Sequence, residues 1–370
     1  MNRLYKTLLL EHLHQYSQMA FLCGPRQVGK TTLAKSLSEF YPQTIYLNWD
    51  DLDDRQTILG GRKKLFEELK LKQLSDTNPL IIVDEIHKYK LWRNYLKGFF
   101  DHHKDEANIV VTGSAKLNIF RKGGDSLMGR YFLYHIHPLS VAELLDTSIP
   151  KNLFRTPQKI DDSIWDNLLK FGGYPEPFIK QNQQFYNRWQ ILRQEQWLRE
   201  DIRSLSQVQD LAQMEVLALY VKQQTGQLIN YSNLANRIRV SDQTIRRWFT
   251  LMKNTYYCFS LKPWQKNVSR SLIKEPKVYL WDWSLVEDEG AKIENFVAAH
   301  LLKAVHLWTD IGFGEFELFF IRDKEKREVD FLIVKDKHPW MLLEIKKSSQ
   351  NAIGKNCCLC RRKRTGHHTC

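Results

Sequence analysis

Cysteine is scarce in this 370-residue chain: six residues in all, four of them among the last fourteen. The other two, Cys23 and Cys258, stand alone in apolar runs, so no disulfide framework holds the body of the protein together. Long apolar runs are missing too. None approaches the roughly 18–20 residues needed to span a bilayer. Leu8-Leu9-Leu10, cut off by Glu11, is too short for a signal-peptide core. The expectation is a cytoplasmic protein with no membrane partner. A hydrophobic content of 43% with 12% aromatics excludes wholesale disorder. The length suits two or three domains with cores of their own.

Charge of one sign is in excess. The formal net charge is +13, but it is unevenly spread. Lys355, Arg361, Arg362, Lys363 and Arg364 carry five of those charges within residues 351–370, which contain no acid, leaving +8 for the first 350 residues. That balance is moderately basic, a weaker pointer to nucleic acid than the total. The same stretch holds Cys357, Cys358, Cys360 and Cys370 beside His367 and His368. Cys-Cys-Leu-Cys lacks the two-residue spacer that lets two thiolates share a zinc ion. Residues 350–370 therefore read as a basic, Cys-rich, disordered tail.

Against this background one motif is complete. Gly24, Pro25, Arg26, Gln27, Val28, Gly29, Lys30 and Thr31 spell G-x-x-x-x-G-K-T, followed by Thr32. The apolar run Met19–Cys23 precedes it and a helix-like stretch follows. That context is what a phosphate-binding loop requires. Glycines let backbone N–H groups turn inward, Lys30 reaches the β and γ oxygens, and Thr31 offers a hydroxyl to Mg²⁺. The helix start adds its positive dipole end. ATP and Mg²⁺ are the expected ligands.

Pro79-Leu-Ile-Ile-Val-Asp84-Glu85 is four aliphatics ending in two carboxylates, the pattern of a strand buried on both faces of a parallel sheet. Asp84 would hold Mg²⁺ through its water shell, and Glu85 would polarise the attacking water. A third run, Asn108 to Thr112-Gly113-Ser114, ends in small polar residues that bring a hydroxyl near the γ-phosphate.

These strings (GPRQVGKTT, IIVDEIHK, VTGSA and SLMGRYFLYHIHPLSVAEL) resemble the AAA-superfamily ATPases of bacteria and archaea. They resemble in particular a family whose C-terminal part, of unknown function, includes a restriction-endonuclease-like segment. The resemblance runs from about Met19 to Lys347. It implies that Asp84 and Glu85 are a Walker B pair, that the Thr-Gly-Ser strand end is a sensor carrying Ser114, and that Arg130 is a finger or sensor for the γ-phosphate. The residue pattern alone leaves Arg130 open as a strand-end surface charge.

Residues 146–163, with two prolines and several turn formers, read as a linker between an ATPase domain at 1–145 and a helical region at 164–275. Within that region, Tyr231–Ile238 and Gln243–Met252 form helix, turn, helix, with Ser241 as a cap. Ile245, Trp248, Phe249 and Met252 make one buried face. The Tyr256–Leu261 run would then be the wing of a winged helix. Arg237, Arg239, Arg246 and Arg247 are the candidate DNA contacts, although winged helices also serve as protein-interaction modules.

From 276 to 349 the pattern becomes α/β. Ala291–Leu302 is an amphipathic helix carrying Glu294, and three strands follow, with Asp330 on the second and Glu344 and Lys346 on the third. The segment resembles PD-(D/E)xK nucleases, which implies a metal site at Asp330 and Glu344, with Lys346 beside it and Glu294 as the helix acid. Only 24 residues follow Lys346, so the strand and helix expected next are missing and the site is read as vestigial.

The fold class expected is α/β: a P-loop parallel sheet, a helical and winged-helix region, then a small, truncated PD-(D/E)xK-like domain. The function expected is Mg²⁺-dependent ATP hydrolysis coupled to DNA or a partner protein, with homo-oligomerisation as an option. The alternatives are a nucleotide-gated DNA-binding or regulatory module without significant turnover, and an ATP-dependent nuclease.

Overall fold

Short aliphatic runs, too hydrophobic to face water on either side, build the first unit around a wholly parallel sheet. The computed structural model describes residues 1–61, 78–113, 127–202, 211–265, 275–323, 325–346 and 359–361. It divides into two units, Met1–Thr156 and Pro157–Cys370.

In the first unit the order is α1 (Leu4–Gln15), β1 (Met19–Cys23), α2 (Lys30–Ser36), β2 (Thr44–Asn48), α3 (Leu52–Leu59), β3 (Leu80–Asp84), α4 (Trp92–His103), β4 (Asn108–Thr112), β5 (Tyr131–His135) and α5 (Val141–Leu145). The strands lie in the order β2-β3-β4-β1-β5. Every residue of β1 and β3 is buried, as continuous apolar strands under helical layers must be. Asn48 pairs with Asp84, and Asp84 with Thr112, so the carboxyl ends of three strands form one row. α1 buries Leu4, Tyr5, Leu8, Leu9, His12 and Leu13, a single stripe at helical spacing. His12 is kept neutral by burial, its Nε2 on the Gln18 carbonyl and its Nδ1 on the Tyr134 hydroxyl, each at 2.8 Å.

In the second unit the order is α6 (Asp162–Phe171), α7 (Pro175–Lys180), α8 (Gln183–Gln196), a π-helical turn (Trp197–Ile202), α9 (Leu211–Gln223), α10 (Tyr231–Ile238), α11 (Asp242–Asn254), β6 (Cys258–Pro263), β7 (Lys277–Leu280), α12 (Glu289–Asp310), β8 (Phe316–Arg322), β9 (Glu328–Lys335), β10 (His338–Glu344) and β11 (Leu359–Arg361). Ser241 caps α11 through the Thr244 amide at 3.0 Å, and Ile245, Trp248, Phe249 and Met252 are buried. Gly172, at φ 77°, ends α6 against Asp282, where an added Cβ would lie 2.7 Å from a carboxylate oxygen. Cys23 and Cys258 are buried free thiols.

Three features of the second unit bear on the expected layout. The strands form one mixed sheet, β11-β10-β9-β8-β6-β7, so the boundary drawn at 275/276 cuts through it. One apolar core joins Met214, Leu234, Trp248, Cys258 and Val278, which is why the helical region does not separate from the strands after it. The Tyr256–Leu261 run carries most of β6, which pairs antiparallel with β7 over Cys258–Leu261 and, at Lys262 and Pro263, parallel with β8. Finally, the stretch assigned to a disordered tail contains β11, which pairs with β10 at Leu342–Arg361 and Glu344–Leu359. A strand therefore does follow the E-x-K strand. Cys357, Cys358, Cys370, His367 and His368 lie outside the described residues.

Candidate nucleotide site

Gly24 follows β1 at φ 154°, and a Cβ there would stand 2.2 Å from the Ile136 carbonyl oxygen. No side chain fits, so the loop begins where only glycine can pass. Gln27, at φ 60°, and Gly29, at φ 92°, turn the backbone again before α2 starts at Lys30. Pro25 and Val28 are buried, Arg26 and Thr31 partly so, while Gln27 and Thr32 are exposed. The Lys30 ammonium is folded into the loop, donating to the carbonyls of Gly24 at 3.0 Å and Pro25 at 2.7 Å.

The row of strand ends converges on Asp84. Its Oδ2 accepts from the Thr31 hydroxyl at 2.7 Å and from the Tyr46 hydroxyl at 2.9 Å, and its Oδ1 accepts from Thr112. Burial, with the Asp84 carboxylate beside it, pushes the Tyr46 phenol well above its usual range, so it remains a donor. Glu85, the next residue, adopts φ 54°. The kink ends the strand and separates Glu85 from its neighbour. Its Oε2 is buried and takes no hydrogen bond among the described residues, with His87 Nε2 at 3.6 Å and Lys88 Nζ at 3.5 Å. Burial raises the Glu85 carboxyl above the ordinary range; Lys88 and Lys30 pull the other way without cancelling it.

This donor set fits a magnesium–triphosphate group. A hydroxyl and a carboxylate stand together at the loop, a buried ammonium can exchange carbonyls for phosphate oxygens, and Glu85 follows with one oxygen lacking a hydrogen bond among the described residues. Tyr46 carried no sequence signal, being one aromatic in an ordinary strand. The loop also rests on Arg3, which donates to Val28 O at 2.9 Å and His137 O at 2.7 Å and pairs with buried Glu143 at 2.7 Å. Ser114 lies outside the described residues; in the same strand end, Thr112 supplies the hydroxyl.

Arg130 is elsewhere. Its carbonyl accepts from Met19 N at 2.9 Å, at the opposite end of β1 from the loop. Four strand steps put it about 13 Å away along the strand. Its guanidinium pairs with Asp101 on α4 at 2.6 Å. A role on the γ-phosphate of its own subunit does not fit this geometry.

The C-terminal acids are only partly assembled. Asp330 Oδ2 accepts from the Ile345 amide at 2.7 Å. Glu344 and Lys346 are exposed and 3.4 Å apart. Glu294 is drawn away to Lys277 and Tyr279. Among the described residues no three Asp, Glu, His or Cys side chains are placed to hold a metal. Of the four arginines, all exposed, Arg246 is tied to Asp242 at 2.6 Å and lies over the Tyr231 ring, while Arg237 lies over Tyr220.

Residues 16–145 match the family model described as an AAA domain. Residues 162–288 and 289–358 match two domains of unknown function, DUF8612 and DUF4143. The first match supports nucleotide binding by an AAA-type unit. An uncharacterized protein of Mycobacterium tuberculosis (strain H37Rv) is 23% identical over 359 residues, covering 93% of this chain and 73% of that protein. One from Haemophilus influenzae is 23% identical over 353 residues, covering 87% and 82%. AMPPCP-bound DnaA from Aquifex aeolicus aligns at TM-score 0.35 and 16% identity over 68% of this chain and 88% of its own. Pif1 helicase from Candida albicans aligns at 0.27 and 18%, over 49% and 46%. Both scores are too low to carry an argument. No described helix is long and apolar enough to cross a membrane.

Proposed function

We propose that the first unit is a Mg²⁺-dependent ATPase whose turnover switches or remodels a partner of this protein. The observation that carries the reading is the meeting of Thr31 and Asp84 at 2.7 Å, with Glu85 the next residue and its Oε2 buried without a hydrogen bond among the described residues. Binding alone would need only the loop. Glu85 Oε2 is buried with Lys88 and His87 near it but no hydrogen bond among the described residues, and its place next to Asp84 suits a group that orients water. Thr31 and Asp84 would hold Mg²⁺, which supplies positive charge to the phosphates. Lys30 would bind and orient the β and γ oxygens, and Glu85 would accept a proton from water. Thr112 fixes the Asp84 carboxylate.

Arg130, one strand length from its own loop, would reach a γ-phosphate only in a second copy of the chain. That reading joins the site to homo-oligomerisation. The order α10, turn, α11 keeps a winged-helix role and DNA as a partner within reach, but Arg246 already has Asp242 and Tyr231. A partner protein is as well served by this surface. Nuclease action has less support than either.

Phosphate release from Mg-ATP tests the reading. Wild type should turn over and Lys30→Ala should not. Mixing Lys30→Ala with Arg130→Ala, each inactive alone, should restore part of the rate through mixed assemblies; turnover by Lys30→Ala alone would remove the proposal.

A further inference from the structure

Lys277 opens β7 with only 5% of its side chain exposed, and its ammonium points into the acids of the second unit. It lies 3.1 Å from Glu294 Oε1 on α12 and 2.5 Å from Glu328 Oε1 on β9. Tyr279, two residues on, donates to the same Glu294 oxygen at 2.7 Å. The other Glu328 oxygen takes Arg322 at 3.4 Å. The backbone of Gly226 closes over the rest of Glu294, where a Cβ would meet Oε2 at 3.2 Å.

A nuclease centre of the expected kind keeps its carboxylates apart with a divalent cation. Here two carboxylates are already held by one ammonium, with a guanidinium outside. Glu294 and Glu328 are thus matched by Lys277 and Arg322. A metal entering this position would meet a buried like charge. Asp330 Oδ2 accepts from the Ile345 amide, and Glu344 is exposed beside Lys346. The acids and the metal implied by the nuclease resemblance therefore do not fit one another.

We propose that Lys277 is the resident cation of this centre, standing between Glu294 and Glu328, and that removing its ammonium turns the centre into a divalent-cation site. Burial alone would lower the Lys277 amine, but Glu294 and Glu328 together outweigh it and hold the amine above its ordinary value. The centre is then a structural clamp joining β7, α12 and β9.

Mn²⁺ is the probe, counted by electron paramagnetic resonance on the nucleotide-free full chain. Wild type and Glu328→Gln should bind the same number of ions. Lys277→Ala should bind one more, and adding Glu294→Gln should remove it. A wild-type ion lost in Glu328→Gln would overturn the proposal, as would a folded Lys277→Ala with no additional ion. Should Lys277→Ala fail to fold, the comparison of wild type with Glu328→Gln decides: equal counts support the proposal and a lost ion refutes it.

Discussion

The Thr31 hydroxyl donates to the Asp84 carboxylate at 2.7 Å, tying the first turn of α2 to the carboxyl end of β3 across 53 positions of sequence. The contact depends on the parallel register that sets Asp84 level with Thr112 and Asn48. It draws loop and strand into one site before any ligand arrives.

The three hydroxyls on Asp84 should differ in weight. Thr112 is fully buried, so Thr112→Val leaves Asp84 Oδ1 without its donor and should cost about 1–3 kcal/mol of stability. Tyr46→Phe leaves Oδ2 bonded to Thr31 and should cost about 0.5–1.5 kcal/mol. Urea unfolding of the two variants checks the order; a larger loss for Tyr46→Phe would reverse it.

Turnover should respond to pH through Glu85. Its carboxyl is raised in the folded protein, and the ionised form accepts the proton, so activity should climb with pH across a range above that of an ordinary glutamate. The sign for stability is opposite. The folded state favours protonated Glu85, so its contribution is greatest in acid and is lost as pH rises from the unfolded to the folded value. A rate profile whose acid limb is the same in Glu85→Gln would assign the limb to another group.

Arg3 should matter although it touches no phosphate. Arg3→Ala strands Glu143, whose side chain is 1% exposed, and breaking such a buried pair costs about 3–5 kcal/mol. Arg3→Ala/Glu143→Gln should regain part of this, because no charge is left buried. Denaturant midpoints of the two variants decide, and equal midpoints would place the loss in packing rather than charge.

If the α10–α11 region binds DNA through phosphates, affinity should fall steeply with salt. Arg239→Ala/Arg247→Ala should flatten that slope by about two phosphate contacts, roughly 1.8 in log K per log salt. Arg246→Ala should change it less, since that side chain is engaged by Asp242. A larger change from Arg246→Ala would show that its ion pair opens on binding.

The phosphate loop was legible because its parts are contiguous: glycines, Lys30 and Thr31 are fixed by local backbone geometry. Asp84 and Glu85 were legible because a buried strand must end where charge begins. Arg3 with Glu143, and Lys277 with Glu294 and Glu328, are pairings of distant segments, each an ordinary charge in its own neighbourhood. Which end of its strand Arg130 occupies was not legible, because proximity to a motif in sequence says nothing about it. The single sheet of the second unit was hidden for a related reason, since β6 and β8 are joined through a 22-residue helix.

The central claim is that Glu85 makes a nucleotide-binding site into a hydrolysing one. The most direct test measures ATP binding and phosphate release on wild type and Glu85→Gln together. The account predicts that the variant binds Mg-ATP as tightly as wild type and releases phosphate at least a hundredfold more slowly, about the lower limit for losing a general base. Equal rates of release in the two proteins would contradict it.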